Sequence, residues 1–140
     1  MNREIKFRGW DTGINKMWSE IEMGRDELTI NPDGRGFVNV NNITRLSQYY
    51  THIIPLQYTG LRDKNGKEIY EGDIVEFKTN YTNKKGGWLN GVVIWDSERY
   101  GWALNAENTI YDIYDETEGF EYMVKHIGNI YENPELLTNN

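Results

Sequence analysis

The sequence predicts a mainly β fold: a small, partly closed barrel, an N-terminal β-rich extension ahead of it, and a few short helical turns. Three observations predict this. Aromatic residues make up 14% of the 140 positions, and with β-branched residues they dominate the apolar sites, which is strand chemistry. Glycine is frequent (14) and proline scarce (3), so turns are plentiful and strands are rarely interrupted. From residue 57 onward, short strand-like runs follow one another across tight turns, the pattern of a small barrel. The chain reads as one unit over residues 1–140, divided into an extension (1–56) and a barrel region (57–136).

Residues 5–10 read as the first strand, with Ile5, Phe7 and Gly9 on one face. Polar residues 11–16 contain Gly13 and turn the chain into a second strand expected around Met17 to Met23. Leu28 to Asn31, then Pro32-Asp33-Gly34, then Arg35 to Val40 carry the turn chemistry of a hairpin. Residues 43–52 suit a short helix or a strand equally well. Asp63-Lys-Asn65-Gly66 is a tight turn, because Asn-Gly readily supplies the positive φ angles of primed turns. Gly72-Asp73 reads as a turn that opens the strand Ile74 to Phe77, with Asp73 capping backbone amides. Gly91-Val-Val-Ile-Trp95 is apolar almost throughout and is expected to be central. Asp96 to Arg99 turns into Tyr100 to Leu104, and Met123 to Tyr131 reads as the last strand. Asn133-Pro134-Glu135 has the residue order that starts a short helical turn.

Charge is distributed unevenly. The net charge of −7 is carried by residues 91–140, which hold ten acidic side chains and two basic ones, Arg99 and Lys125. Residues 1–56 are neutral and residues 57–90 carry +1. The balance argues against broad binding to a phosphate backbone, though less so for the first ninety residues. The acidic segment reads first as a solvated face. Its sharper alternative is a docking patch for a basic partner at Asp112, Asp115, Glu116 and Glu118, or a mimic of nucleic-acid charge. A second candidate site is the loop that contains Lys78, Tyr81, Lys84, Lys85 and Trp88, since base stacking on aromatics beside lysines is how many single-strand binders work. Its plainer reading is a solvated hairpin loop with Trp88 tucked into the core.

The chemistry expected of an enzyme is not apparent. Cysteine is absent, which excludes thiolate metal sites and cysteine catalysis. The three serines occupy no nucleophile elbow, and Lys84-Lys85-Gly86-Gly87 has the wrong order for a phosphate loop. His52 and His126 are far apart in sequence, and His126 is expected to be a partly buried strand residue. Asp63-x-Asn65-Gly66 resembles a calcium loop only at its start, because Ile74 stands where the closing glutamate is required. No catalytic residue, metal or cofactor is therefore expected. Glu68, Glu71 and Asp73 read as turn and strand residues, and Asn65, Gly66, Gly72 and Asp73 as the structural turn and cap set. The opening MNREIKFRGWD lacks a signal peptide's apolar run and no stretch suits a membrane span, so the expected location is the cytoplasm.

Three stretches carry a family resemblance. Ile5-Lys-Phe7-Arg8-Gly-Trp10-Asp11 with Lys16-Met17 resembles the opening of YopX-like proteins. Gln57-Tyr58-Thr59-Gly60-Leu61 through Asp73-Ile74-Val75 is similar to that family's central signature, and Ile127-Gly128-Asn129-Ile130-Tyr131-Glu132-Asn133-Pro134-Glu135-Leu136 to its closing motif. Arg62 stands where lysine is usual and Gly9 where alanine is common, both expected to be minor departures. The resemblance implies a phage or prophage protein of a bacterial host cell, a barrel of the SH3-like type, and homo-oligomers. It brings no catalytic residues to carry over. With five Trp and ten Tyr exceeding the needs of a small core, the expected function is a non-enzymatic scaffold or protein-binding adaptor that self-associates or meets a host or phage protein. The alternatives are a nucleic-acid-associated factor using the Lys78–Trp88 loop and an acidic DNA-mimic inhibitor of a host protein.

Overall fold

The computed structural model describes residues 4–40, 49–79, 85–113 and 124–138. The fold is mainly β, and the chain divides into two compact units, residues 1–58 and 59–140.

In the first unit, β1 (Phe7–Asp11) lies between β2 (Lys16–Trp18) and the start of β6 (Ile53–Arg62), antiparallel to both. Chain between β2 and β6 forms a short helix, α1 (Glu20–Arg25), and a small sheet of β3 (Leu28–Ile30), β4 (Phe37–Asn39) and β5 (Tyr49–Tyr50). The hairpin expected from Leu28 to Val40 is therefore present, in the register Ile30 opposite Phe37. Most of the ambiguous 43–52 stretch lies outside the described residues.

The strand expected over Met17 to Met23 ends at Trp18, and α1 replaces its second half. The reason is a capping box: Glu22 N–H donates to Ser19 Oγ at 3.2 Å, and Ser19 N–H donates to Glu22 Oε1 at 3.2 Å. These reciprocal bonds satisfy two orphan amide groups, which the extended alternative cannot do locally. Met23 then points into a core with Phe37 and Ile53, surrounded by Phe7, Trp18, Leu28, Ile30 and Tyr50.

That core also explains Gly9. A Cβ built there would sit 2.5 Å from Ile53 Cγ2 and 3.0 Å from Phe37 Cε2. The departure from alanine is thus not minor in this chain, because the side chains around position 9 have filled the space a methyl group would need. Ile5, by contrast, is exposed and lies before the strand.

In the second unit, β8 (Asp73–Lys78), β9 (Trp88–Asp96), β10 (Gly101–Ala106) and β11 (Thr109–Asp112) form an antiparallel meander, and β12 (Lys125–Asn129) returns to pair with β8. The sheet order β11-β10-β9-β8-β12 is the SH3-like topology, with β9 central as its apolar sequence predicts. The end of β6 and β7 (Glu68–Tyr70) precede it, and α2 (Glu135–Thr138) closes the chain after Asn133-Pro134. Alternate residues of β8 and β9 (Val75, Phe77, Leu89, Val93) point into one core with Ile69, Trp102 and Leu104. Gly91 lets Phe77 cross the centre of this sheet, since a Cβ there would stand 2.9 Å from Phe77 Cε1. Among the described residues, no helix is long and apolar enough to cross a membrane.

Candidate functional site

The Asp63–Gly66 turn forms, but not in primed geometry. Gly66 alone takes positive φ (81°), and Gly66 N–H donates to Asp63 O at 2.9 Å, so a common turn is followed by one left-handed residue. Asp63 organises it. Its Oδ1 accepts from Asn65 N–H (2.9 Å) and Lys67 N–H (2.8 Å), and its Oδ2 from His126 N–H on β12 (2.9 Å). Burial alone pushes this carboxyl up, yet the amides of His126, Lys67 and Asn65 outweigh it and hold the group below its ordinary value.

Asp73 caps as expected: its Oδ2 accepts from Tyr70 N–H at 2.7 Å, and the residue is fully buried. His126 Nε2 stands 3.2 Å from Asp73 Oδ1, with its side chain almost wholly buried at the end of the barrel core. Gly72, at φ 83°, donates its N–H to Val93 O and accepts from Ile130 N–H, both at 2.9 Å. The family's central and closing motifs therefore meet in space. Beyond that junction, Asn129 Oδ1 accepts from Tyr131 N–H (3.0 Å) and Glu132 N–H (2.8 Å), while its Nδ2 donates to Glu132 Oε1 (2.9 Å). Asp63 and Asn129 are the structural residues that sequence reading missed. An Asx-turn preference was the available local signal.

Of the candidate nucleic-acid contacts, Lys78 and Trp88 are brought together. They face each other as the last cross-strand pair of β8 and β9, and the hairpin is closed by Thr79 N–H donating to Gly87 O at 2.8 Å. Trp88 is not in the core; it is 46% exposed. Strand alternation is the reason: Leu89, Gly91 and Val93 take the inner face, which leaves Trp88 on the outer one. Lys85 belongs to a 3₁₀ turn over residues 85–87, and Tyr81 and Lys84 lie outside the described residues. Of the acidic candidates, Asp112 is exposed at the end of β11, and Asp115, Glu116 and Glu118 lie outside the described residues.

Among the described residues, the other exposed aromatics of this unit sit at the opposite end of β9. Trp95 continues the inner face past the rim, 51% exposed, and meets Trp102 edge-to-face with centroids 5.3 Å apart. Tyr100, in the β9–β10 turn, is 86% exposed and holds φ +53°, a conformation that a bulky residue seldom adopts. Asp96 fixes this turn, its Oδ1 accepting from Glu98 N–H at 3.0 Å and its Oδ2 from Arg99 Nη1 at 2.6 Å.

The chain is similar in fold to the crystal structure of protein EF1440 from Enterococcus faecalis, with a TM-score of 0.56 and 24% sequence identity. The match covers 97% of this chain and 99% of that one. No curated protein matches the sequence. The YopX protein family matches residues 6–138, which reaches into both units and takes in the three quoted motifs except Ile5, and the chain belongs to that family.

Proposed function

We propose that this protein is a non-enzymatic scaffold or protein-binding adaptor that associates with itself through the β9–β10 end of its SH3-like sheet. The cytoplasm of a bacterial host and a phage or prophage origin, which the family resemblance implies, are part of this reading. The observation that carries it is Tyr100, an almost fully exposed aromatic held at positive φ beside the half-exposed Trp95. Left-handed backbone at a non-glycine residue costs free energy, and exposed aromatics at one hairpin end suit a contact surface. The buried carboxylates of the second unit support the same reading: Asp63 and Asp73 are engaged with backbone amides.

Tyr100→Gly separates contact from folding. Glycine accepts the positive φ without strain, so the variant is expected to be about 0.5–1 kcal/mol more stable. Its self-association, measured by sedimentation velocity, is expected to weaken about tenfold, a loss of ~1.4 kcal/mol. A parent protein that stays monomeric at high concentration, or a variant that associates like the parent, overturns the reading.

The Lys78–Trp88 pair supports a second reading, a single-stranded nucleic-acid contact, because an exposed indole stands beside an exposed cation. Titration with a labelled oligonucleotide at low salt tests it. Trp88→Ala is expected to weaken binding about tenfold, the order of one lost base stack. Equal binding by the variant, or no retention at low salt, excludes this face.

A further inference from the structure

The first unit contains a cavity of about 330 Å³ at the end of β1, within the size range of small-ligand pockets. Its lining combines two aromatic residues (Trp18 and Tyr50), two acidic residues (Asp11 and Asp26), His52 and the apolar Leu28 and Ile53. Among the described residues, no lysine or arginine lines it. His52 and Asp26 are exposed, so the cavity opens to solvent on their side.

The polar groups are arranged with acceptor capacity to spare. Asp11 is buried, and its Oδ1 accepts from Gly13 N–H (2.9 Å) and Ile14 N–H (3.3 Å), with His52 Nε2 at 3.5 Å. Its Oδ2 accepts from Trp18 Nε1 alone among the described residues, at 3.1 Å. That leaves one carboxylate oxygen with an unused lone-pair direction. Burial raises the Asp11 carboxyl, but the Trp18 indole, the Gly13 and Ile14 amides and His52 together hold it below its ordinary value, so it is charged at neutral pH. The Asp26 carboxylate makes no hydrogen bond or ion pair among the described residues. Lys16 does not neutralise this pair: its Nζ lies 3.8 Å from the Trp18 ring centroid and is held by Glu22 at 2.8 Å. The Trp18 ring thus already accepts a cation on one face. A bare metal ion is a poor match, because no three His, Asp or Glu side chains converge among the described residues.

We propose that this cavity binds a guanidinium group, as an arginine side chain or a free arginine-like molecule presents it. Guanidinium is planar, weakly hydrated and forked, so it can stack on an aromatic ring while it donates to carboxylates. The proposal is independent of the self-association surface, which lies in the other unit.

The test follows the Trp18 indole N–H by NMR while N-acetyl-arginine amide is added, in parallel with the uncharged N-acetyl-citrulline amide and with N-acetyl-lysine amide. A saturable shift is expected for the arginine derivative, with affinity at least about tenfold above the citrulline and lysine derivatives. Asp26→Asn is expected to weaken arginine binding about threefold or more at an unchanged melting temperature. Free arginine added separately distinguishes the sources: tighter binding of the blocked form points to a side chain of a partner, and tighter binding of the free amino acid to a small molecule. Equal affinity for arginine and citrulline, equal affinity for arginine and lysine, or no saturation by ~50 mM overturns the proposal.

Discussion

Asp63→Ala is expected to lower the unfolding free energy of the second unit by about 4 kcal/mol, a large share of what a domain of this size possesses. The carboxylate is 4% exposed and accepts from three backbone N–H groups, two in its own turn and one 63 residues away on β12. A hydrogen bond to a charged acceptor contributes about 1.5–3 kcal/mol, and each buried amide left without an acceptor costs about 1–3 kcal/mol. The Asn65 amide lies at the exposed tip and can turn to water, so the Lys67 and His126 amides dominate the loss. Asp63→Asn keeps the Oδ1 contacts but sets an NH₂ group against His126 N–H, and about half the loss is expected. Urea denaturation of the three proteins provides the measurement; an alanine midpoint within error of the parent removes the assigned role.

The same carboxylate sets a pH dependence with a definite sign. The folded pKa of Asp63 lies below its ordinary value of 3.8, so the unfolded chain takes up the proton first as pH falls. Its contribution is complete well above pH 3.8 and is lost as pH drops from there through the folded value. The stability gap between parent and Asp63→Asn therefore narrows below about pH 4 and is constant at neutral pH. A gap that widened on acidification would contradict this direction. Asp11 in the first unit is depressed in the same sense, so acid loosens both units from buried caps more than from surface pairs.

How far these features were legible in the sequence follows from how local their causes are. The central β9 strand, the hairpin around Asp33-Gly34 and the Asp73 cap rest on neighbouring residues, and each was readable from composition and turn chemistry. The helix α1 was misread because Met17, Ser19, Ile21 and Met23 alternate as a strand would, and six residues are too few to establish a helical repeat. Ser19-x-x-Glu22 is the signal that decides it, and Ile21 at 64% exposure beside the buried Met23 shows that the alternating positions share no one buried face. The plainer reading of the loop puts Trp88 in the core, whereas its position one residue before the inward Leu89 sends it out. Asp63 exemplifies the unreadable part: its turn bonds are local, but the bond to His126 depends on which strand returns to β8. The Lys78–Trp88 pairing was implicit in a hairpin loop, while the gathering of Asp11, Asp26, Tyr50 and His52 around one cavity is tertiary and had no periodic trace.

Gly128→Ala is expected to cost about 3 kcal/mol although the residue has an ordinary backbone conformation, because the obstacle is space. A Cβ at position 128 would lie 2.5 Å from Asn133 Oδ1 and 2.9 Å from both Cβ and Cγ of the same residue. A flexible side-chain tip could swing away cheaply, but Asn133 cannot. Its Oδ1 accepts from Asn129 N–H at 3.2 Å, and its own N–H donates to Asn129 O at 2.9 Å. Shifting it opens the Asn129 turn, which holds Tyr131 and Glu132 and, through Ile130, the Gly72 junction ahead of β8. Overpacking of this kind costs about 1–3 kcal/mol, and weakening the turn's hydrogen bonds adds about 1 kcal/mol. A double-mutant cycle isolates the cause: Asn133→Gly removes both the carbonyl oxygen and the Cβ, so Gly128→Ala in that background is expected to cost at least about 1 kcal/mol less than in the parent. Strict additivity of the two substitutions would mean that the glycine is required for another reason. Coupling would establish that the Gly-Asn-x-x-x-Asn spacing of the closing motif is a packing requirement, one that fixes the turn against which β8 begins.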